Sequence, residues 1–430
     1  VPGASCVDWP VSYEELEPFY LYTERLMGVQ GLAGADPQEP RRSAPYPMPP
    51  GITPYLAELV KKGTDQLGYQ LFPCPAAVNS RPYDGRPACV DCGFCQSQPC
   101  PINAKGSPGV TTLRKALLSG NCQIRTETRA VRLLFSGDGA TVTGVEALLP
   151  DGKRATFRAD RYLLAANPIE DVRLLLLSTQ GAALKDQSGL VGRHLMLHRS
   201  LDVLAIFEDQ LHGHRGHGST HGFSDFRVPR DLQRPLGGLV LATPIPYLIE
   251  QAYTYLSQFR QLGVRGALFK KLLRQGRVRD RILSLSMYGE DAPQASNVVD
   301  LDPAVRDSDG LPAPRLTYRN HEYEESAVRY YAPKLIELAG AAGARFAAPA
   351  PTGELAGSGH LMGTLRFGVD PRASVCARDG RFHGIGNLYG SGASLFPTSS
   401  GFNPTLTIAT VSAYVAASMV SPGSPERALS

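Results

Sequence analysis

Asn387-Leu-Tyr-Gly-Ser-Gly-Ala-Ser-Leu-Phe-Pro397 runs on into Ser399-Ser-Gly-Phe-Asn403-Pro404-Thr405-Leu-Thr-Ile408, and these two stretches decide the fold. The first reads as a short strand that ends in small residues, where a ligand can approach the backbone closely. The second places Asn403 as an N-cap and Pro404 in the first turn of a closing helix, Pro404 to Val420. Free N–H groups and the positive end of the helix dipole then point at whatever lies in front. Taken alone, the Asn-Pro pair is more often the start of an ordinary capped helix.

Upstream, Ser12-Tyr-Glu-Glu15 is a capping-box pattern ahead of a helix bearing Leu16, Phe19 and Leu26. Residues 37 to 54 are Pro-rich and irregular, and a second helix is expected from Pro54 to Leu67. A helix over Thr112 to Leu118 follows a Cys-rich loop. Then come strands: Gln123 to Phe135, Thr141 to Leu148, and Arg154 to Arg158 after a Pro150-Asp-Gly152 turn. A short buried strand, Asp160 to Ala166, leads through Asn167-Pro168 into a helix ending at Ser178. The middle of the chain, from about Leu201 to Ala350, mixes a His-rich loop, amphipathic helices and scattered strands. No internal repeat is visible.

The 430 residues are 43% hydrophobic and 20% charged, as in an ordinary globular protein, with a net charge of +4. No basic stripe suggests a nucleic-acid partner, and no apolar run is long enough to span a membrane. There is no signal segment at the start. The chain does not begin with Met, which fits a processed or truncated product, or an alternative start codon read as Val. The compartment stays open, cytoplasmic by default and periplasmic if an upstream or partner signal exists.

From Gly359 to Val420 the chain resembles the C-terminal signature of the glucose–methanol–choline (GMC) oxidoreductases. The matching residues are His360-Leu-Met-Gly363-Thr364, Arg366-Phe-Gly368, Asp370-Pro371, Ser394-Leu-Phe-Pro397 and Gly401-Phe-Asn403-Pro404-Thr405. Trp9-Pro10, Ala104-Lys105-Gly106-Ser107, Ala165-Ala-Asn-Pro-Ile169-Glu170 and Glu290-x-x-Pro293 extend the likeness over nearly the whole chain. The pattern is nearest to the gluconate, fructose and glucose dehydrogenase branch. The resemblance implies a mixed α/β fold, an FAD-binding domain with an inserted substrate-binding domain. It also implies oxidation of a CH–OH group of a sugar, polyol or sugar acid by hydride transfer to flavin N5. Boundaries are expected at 1–104 for an N-terminal segment with the Cys-rich loop and 105–200 for the FAD-domain remainder. The substrate domain then covers 201–356, and 357–430 returns to the FAD domain.

By the same resemblance His360 is the catalytic acid–base and Asn403 the second catalytic position. Val131, Gly392, Ala393, Asn403, Pro404 and Thr405 are the expected cofactor contacts, with the helix start balancing charge on a reduced flavin. Two positions depart from the pattern, Phe367 in place of Met and Gly392 in place of Asp. The strand, G-x-G-x-x-G turn and helix that hold the FAD pyrophosphate in the family find no match here. A fragment, or a split enzyme completed by an N-terminal partner chain, is the corresponding expectation.

Cys89-x2-Cys92-x2-Cys95-x4-Cys100-Pro101 is one residue longer at its last gap than bacterial ferredoxin spacing. An iron–sulfur cluster, zinc, and disulfides or free thiols all remain open. The dehydrogenase branch makes the cluster, or an external acceptor such as a cytochrome, the expected route for electrons. His212, His214, His217 and His221 read as a mobile polar loop, and His194 and His198 as structural residues sharing a helical face. The competing functions are a subunit without independent flavin activity and a metal or electron-transfer module with a vestigial flavin site.

Overall fold

The apolar residues Leu201, Val203 and Ala205 alternate with Ser200, Asp202 and Leu204, and a strand sends such a set to opposite faces. In the computed structural model they lie on β6 (Arg193–Ile206), the centre of a sheet with nine strands among the described residues. The structure describes residues 1–429 except 93–94, 96–98, 180–185, 214, 229–233, 245–259, 261–262, 276–279 and 351–356, and except the side chains of 272, 273, 275, 357 and 358.

On one side of β6 the order runs through β9 (Ile282–Gly289), β8 (Gly238–Pro244) and β7 (His221–Phe223) to β1 (Phe72–Pro73). On the other lie β10 (Val298–Arg306) and β11 (Pro312–Thr317), while β12 (Phe346–Pro349) and β13 (Gly357–Thr364) also pair with β6. All these pairings are antiparallel. The odd-numbered face is covered by α2 (Tyr55–Leu67) and α6 (Glu322–Ala341). Leu56, Val60, Leu335 and Leu338 bury it against Val203, Val240, Leu285 and Met287.

A second assembly surrounds the C-terminal helix α7 (Thr405–Val420). It holds the antiparallel strands β2 (Arg129–Phe135), β3 (Val142–Leu148) and β4 (Arg154–Phe157), and the parallel pair β5 (Tyr162–Leu164) and β14 (Leu388–Gly390). Helices α1 (Tyr13–Met27) and α4 (Pro168–Ser178) complete it, and Phe19 meets Tyr414 edge to face at 5.4 Å. Two short or peripheral helices remain, α3 (Thr112–Leu118) and α5 (Gly266–Gln275).

The local signals account for most of these ends. Ser12 and Glu15 form the reciprocal capping box of α1, and Gly28 closes it at φ +75°. Asn167 caps α4 by accepting from the Ile169 and Glu170 amides, with Pro168 at its first position.

Three expectations change. Residues 123–128 do not extend β2, which begins at Arg129. His194 and His198 lie on a strand, not a helix, and His194 has a positive φ of 63° at the irregular start of that strand. No Asn403 side-chain bond caps α7: the helix begins at Thr405, Pro404 before it has φ −84° and ψ −5°, and no side chain accepts from its first amides. Strand β6 crosses residues 200 and 201 without a break, and β13 pairs with it.

Candidate active site

Strand β13 delivers His360 beside His198 because Leu361 pairs with Leu197 and Met362 with Met196. The chain approaches closely here: Gly363 has φ +82°, and a Cβ on it would stand 2.2 Å from the His194 carbonyl oxygen. Thr364, unusually for a β-branched residue, also has a positive φ of 78°. Its hydroxyl donates to the Pro168 carbonyl at 2.9 Å, and its own carbonyl accepts from the Gly192 amide. That bulge re-aims the strand toward the start of α4.

The two imidazoles meet nearly at right angles, with Nδ1 to Nδ1 at 3.1 Å and centroids 5.0 Å apart. Such a contact requires one Nδ1 to donate and the other to accept. Burial holds both rings below their ordinary pKa, His198 down to about 3 with help from the adjacent His360, so neither is charged at neutral pH. The Tyr288 ring stands 5.4 Å from that of His360 and 6.4 Å from that of His198.

His360 opens on a cavity of about 350 Å³. Its other walls are Ala165, Asn167 and Pro168 at the start of α4, Ser391 to Ser394 after β14, and Pro404, Thr405, Ile408 and Ser412 of α7. Asp171 ties these walls together, accepting from the Ser394 hydroxyl at 2.6 Å and the Ala166 amide at 2.7 Å. Burial pushes its carboxyl up to about 6 against those bonds. The Leu365 amide donates to the Ser394 carbonyl at 2.9 Å, fixing the turn to the continuation of β13. A further weld joins the approach to α7 to the sheet: the Leu239 amide donates to the Gly401 carbonyl at 2.7 Å. Gly238 and Gly401 pack back to back, so a Cβ on Gly401 would lie 2.7 Å from the Gly238 Cα.

The donors suit a flat, partly anionic ring system such as the flavin end of FAD. Gly392 and Ala393 leave one wall without bulk, Gly392 with φ +63°, and the first turn of α7 has no side-chain cap to occupy its amides. Of the expected contacts, Gly392, Ala393, Pro404 and Thr405 line the cavity with His360. Asn403 is exposed and outside its wall. Val131 is buried on β2, away from that wall.

All eight cysteines are free thiols. Burial first, then the neighbouring thiols of Cys92 and Cys100, raises the Cys95 thiol. Burial opposes ionisation of Cys100 too, but the amides of Lys105, Ile102, Ala104 and Asn103 outweigh it and hold that thiol below its usual range. Among the described residues no three His, Cys, Asp or Glu side chains are grouped to hold a metal ion. In the His-rich loop, His217 bonds Gln30 at 3.2 Å and His221 is a buried residue of β7, while His214 lies outside the described residues.

His198, Tyr288, Asp171 and Ser394 were not expected at the site. Strand alternation would have put His198, Ser200 and Asp202 on one face, whereas a four-residue spacing also fits a helix.

GMC oxidoreductase family patterns match residues 52–200 and 293–412. The chain is 31% identical over 414 residues to the 6'''-hydroxyparomomycin C oxidase of Streptomyces lividus, covering 94% of this chain and 70% of that one. It is 30% identical over 418 residues to the fructose dehydrogenase large subunit of Gluconobacter japonicus, covering 94% and 73%. An FAD-dependent oxidoreductase from Chaetomium thermophilum shares the fold, with a TM-score of 0.65 at 12% identity over 97% of this chain and 81% of that one. No helix among the described residues is long and apolar enough to cross a membrane. The matched patterns and the extent of the relatives place this chain among the GMC oxidoreductases, enzymes of oxidation and reduction.

Proposed function

We propose that the chain oxidises a CH–OH group of a sugar, polyol or sugar acid, with His360 taking the hydroxyl proton. The observation that carries this reading is the His360–His198 pair at the mouth of a cavity walled by Gly392, Ala393 and the uncapped start of α7. FAD, when bound, would supply the hydride acceptor. Gly392, Ala393, Pro404 and Thr405 would hold its ring end, and the family resemblance assigns the adenine end to the backbone at Val131. The relatives support the substrate class by name, one acting on an aminoglycoside and the other on fructose.

Burial keeps His360 neutral and so ready to accept a proton near neutral pH. The contact with His198 engages Nδ1 of each ring, so proton exchange with substrate falls to Nε2 of His360, which accepts a proton in the tautomer where His360 Nδ1 is the donor to His198. Asn403 is the proposed second polar group for the substrate oxygen, reached from the loop before α7. In the FAD-loaded protein, His360→Ala is expected to slow flavin reduction by about 100-fold or more with FAD content unchanged. Near-normal reduction would remove His360 from the chemistry.

The finer proposal is that electrons leave through an iron–sulfur centre on Cys89, Cys92, Cys95 and Cys100, or to an external carrier such as a cytochrome. Its support is the spacing of the four cysteines and the amides around Cys100. It requires iron and acid-labile sulfide in anaerobically purified protein; zinc alone, or a mapped disulfide among these thiols, would exclude it.

A further inference from the structure

We propose that Asp202, flanked by Ser284 and Ser286, makes this enzyme select substrates that carry a protonated amine on a polyhydroxylated ring and disfavour sugar acids. The inference rests on the functional reading above and narrows its substrate class.

Asp202 stands on the same face of β6 as His198, four residues along the strand, at about 13 Å. Tyr288 bridges the gap: it pairs with Ser200, its ring is near both imidazoles, and its hydroxyl is raised by burial and then by the Asp202 charge. One face of the sheet thus carries, in sequence, a proton acceptor, an aromatic ring and a carboxylate. Beyond Asp202 the strip closes, because Leu204 and Ile206 are packed under Phe269 of α5.

The carboxylate is built for a ligand that the described residues do not supply. Ser286 lies directly opposite and Ser284 diagonally, and both hydroxyls donate to the same oxygen, Oδ1. Oδ2 is bonded by no described side chain, and Asp202 has no Lys, Arg or His partner among the described residues. Asp307 is matched to Arg173 and Arg129, Glu24 to Arg42 and Glu325 to Arg199, whereas Asp202, like the buried Asp171 and Asp291, meets no guanidinium group among the described residues. Asp202 is half-buried beside Leu204 and Leu241. A charge in that setting attracts a cation more strongly than it would in water and repels a carboxylate equally. The roughly 13 Å along the strand between Asp202 and His198 suits a substrate of two sugar rings whose first ring presents its CH–OH to the imidazole of His360. Tyr288 between them offers an aromatic face to either ring.

The test uses the FAD-loaded full chain and three disaccharides of two β-1,4-linked pyranose rings: the glucosamine dimer, cellobiose and glucuronosyl-β-1,4-glucose. Calorimetric binding should favour the glucosamine dimer over cellobiose by about tenfold, with the glucuronosyl disaccharide weakest. Asp202→Asn should bring the first two within about threefold, while Asp202→Glu keeps the order. Equal binding of the amine and neutral sugars by the wild-type chain, no binding of the amine, or a preference that survives Asp202→Asn would each overturn the proposal. Should Asp202→Asn fail to fold, the wild-type preference still decides, since it must vanish as pH rises past the amine's pKa. Selective binding without flavin reduction would leave Asp202 in place and count against the oxidation reading instead.

Discussion

The two faces of the nine-stranded sheet are written by alternate residues of the same strands, yet they differ in kind. On β9 the odd positions Leu283, Leu285 and Met287 are at most 1% exposed and packed under α2 and α6. The even positions Ser284, Ser286 and Tyr288 are polar or amphipathic and lead toward His198 and His360. One face holds the sheet to its helices; the other presents chemistry. Adjacent residues can therefore carry unrelated roles, and a substitution moved by one position changes which property it affects.

The sharpest way to break this contrast is to truncate neighbours. Met287→Ala should cost about 2–5 kcal/mol by chemical denaturation, as expected for a cavity in a closed core, and leave substrate preference intact. Ser286→Ala should cost only about 1 kcal/mol while shifting the preference among charged and neutral sugars. Equal destabilisation by the two would mean that both faces are structural.

A smaller effect is expected where the site meets the second assembly. Asp171 has a folded pKa of about 6 against an ordinary value of 3.8, so the folded state holds its proton more tightly. This stabilising term is full below pH 4 and is lost as pH rises through 6, by an amount on the order of 3 kcal/mol. Asp171→Asn should flatten that part of the stability curve, read as thermal midpoints between pH 4 and 7. An unchanged slope would assign the pH dependence to other groups, such as the Asp291–Glu324 pair, whose carboxyls are also raised by burial first.

Much of the second assembly was legible because its signals are local. Ser12 and Glu15 act across three residues, Pro168 marks its helix directly, and the glycines around Gly392 announce a close approach. The site was less so. Asp171 reaches Ser394 across 223 residues, and His198 reaches His360 across 162. Nothing in either neighbourhood encodes those partners. The Asn-Pro pair marked the helix start to within a residue but not whether the Asn403 side chain bonds its first amides, which it does not. For the four clustered cysteines, spacing alone leaves the bound species undecided, and several residues between them lie outside the described part of the chain.

For anyone redesigning this enzyme, the back-to-back glycines set a boundary on the search. A side chain at Gly238 would put its Cβ 1.6 Å from the Tyr288 carbonyl oxygen, and one at Gly401 would meet the Gly238 backbone. Libraries meant to enlarge the substrate space should leave both positions untouched and diversify Ser200, which shares the polar face and lies opposite Tyr288. The weld also couples the start of α7 to the edge of that face, so a mutation that tilts one is expected to retune the other. Cofactor potential and substrate choice would then drift together under directed evolution, and screens should score both.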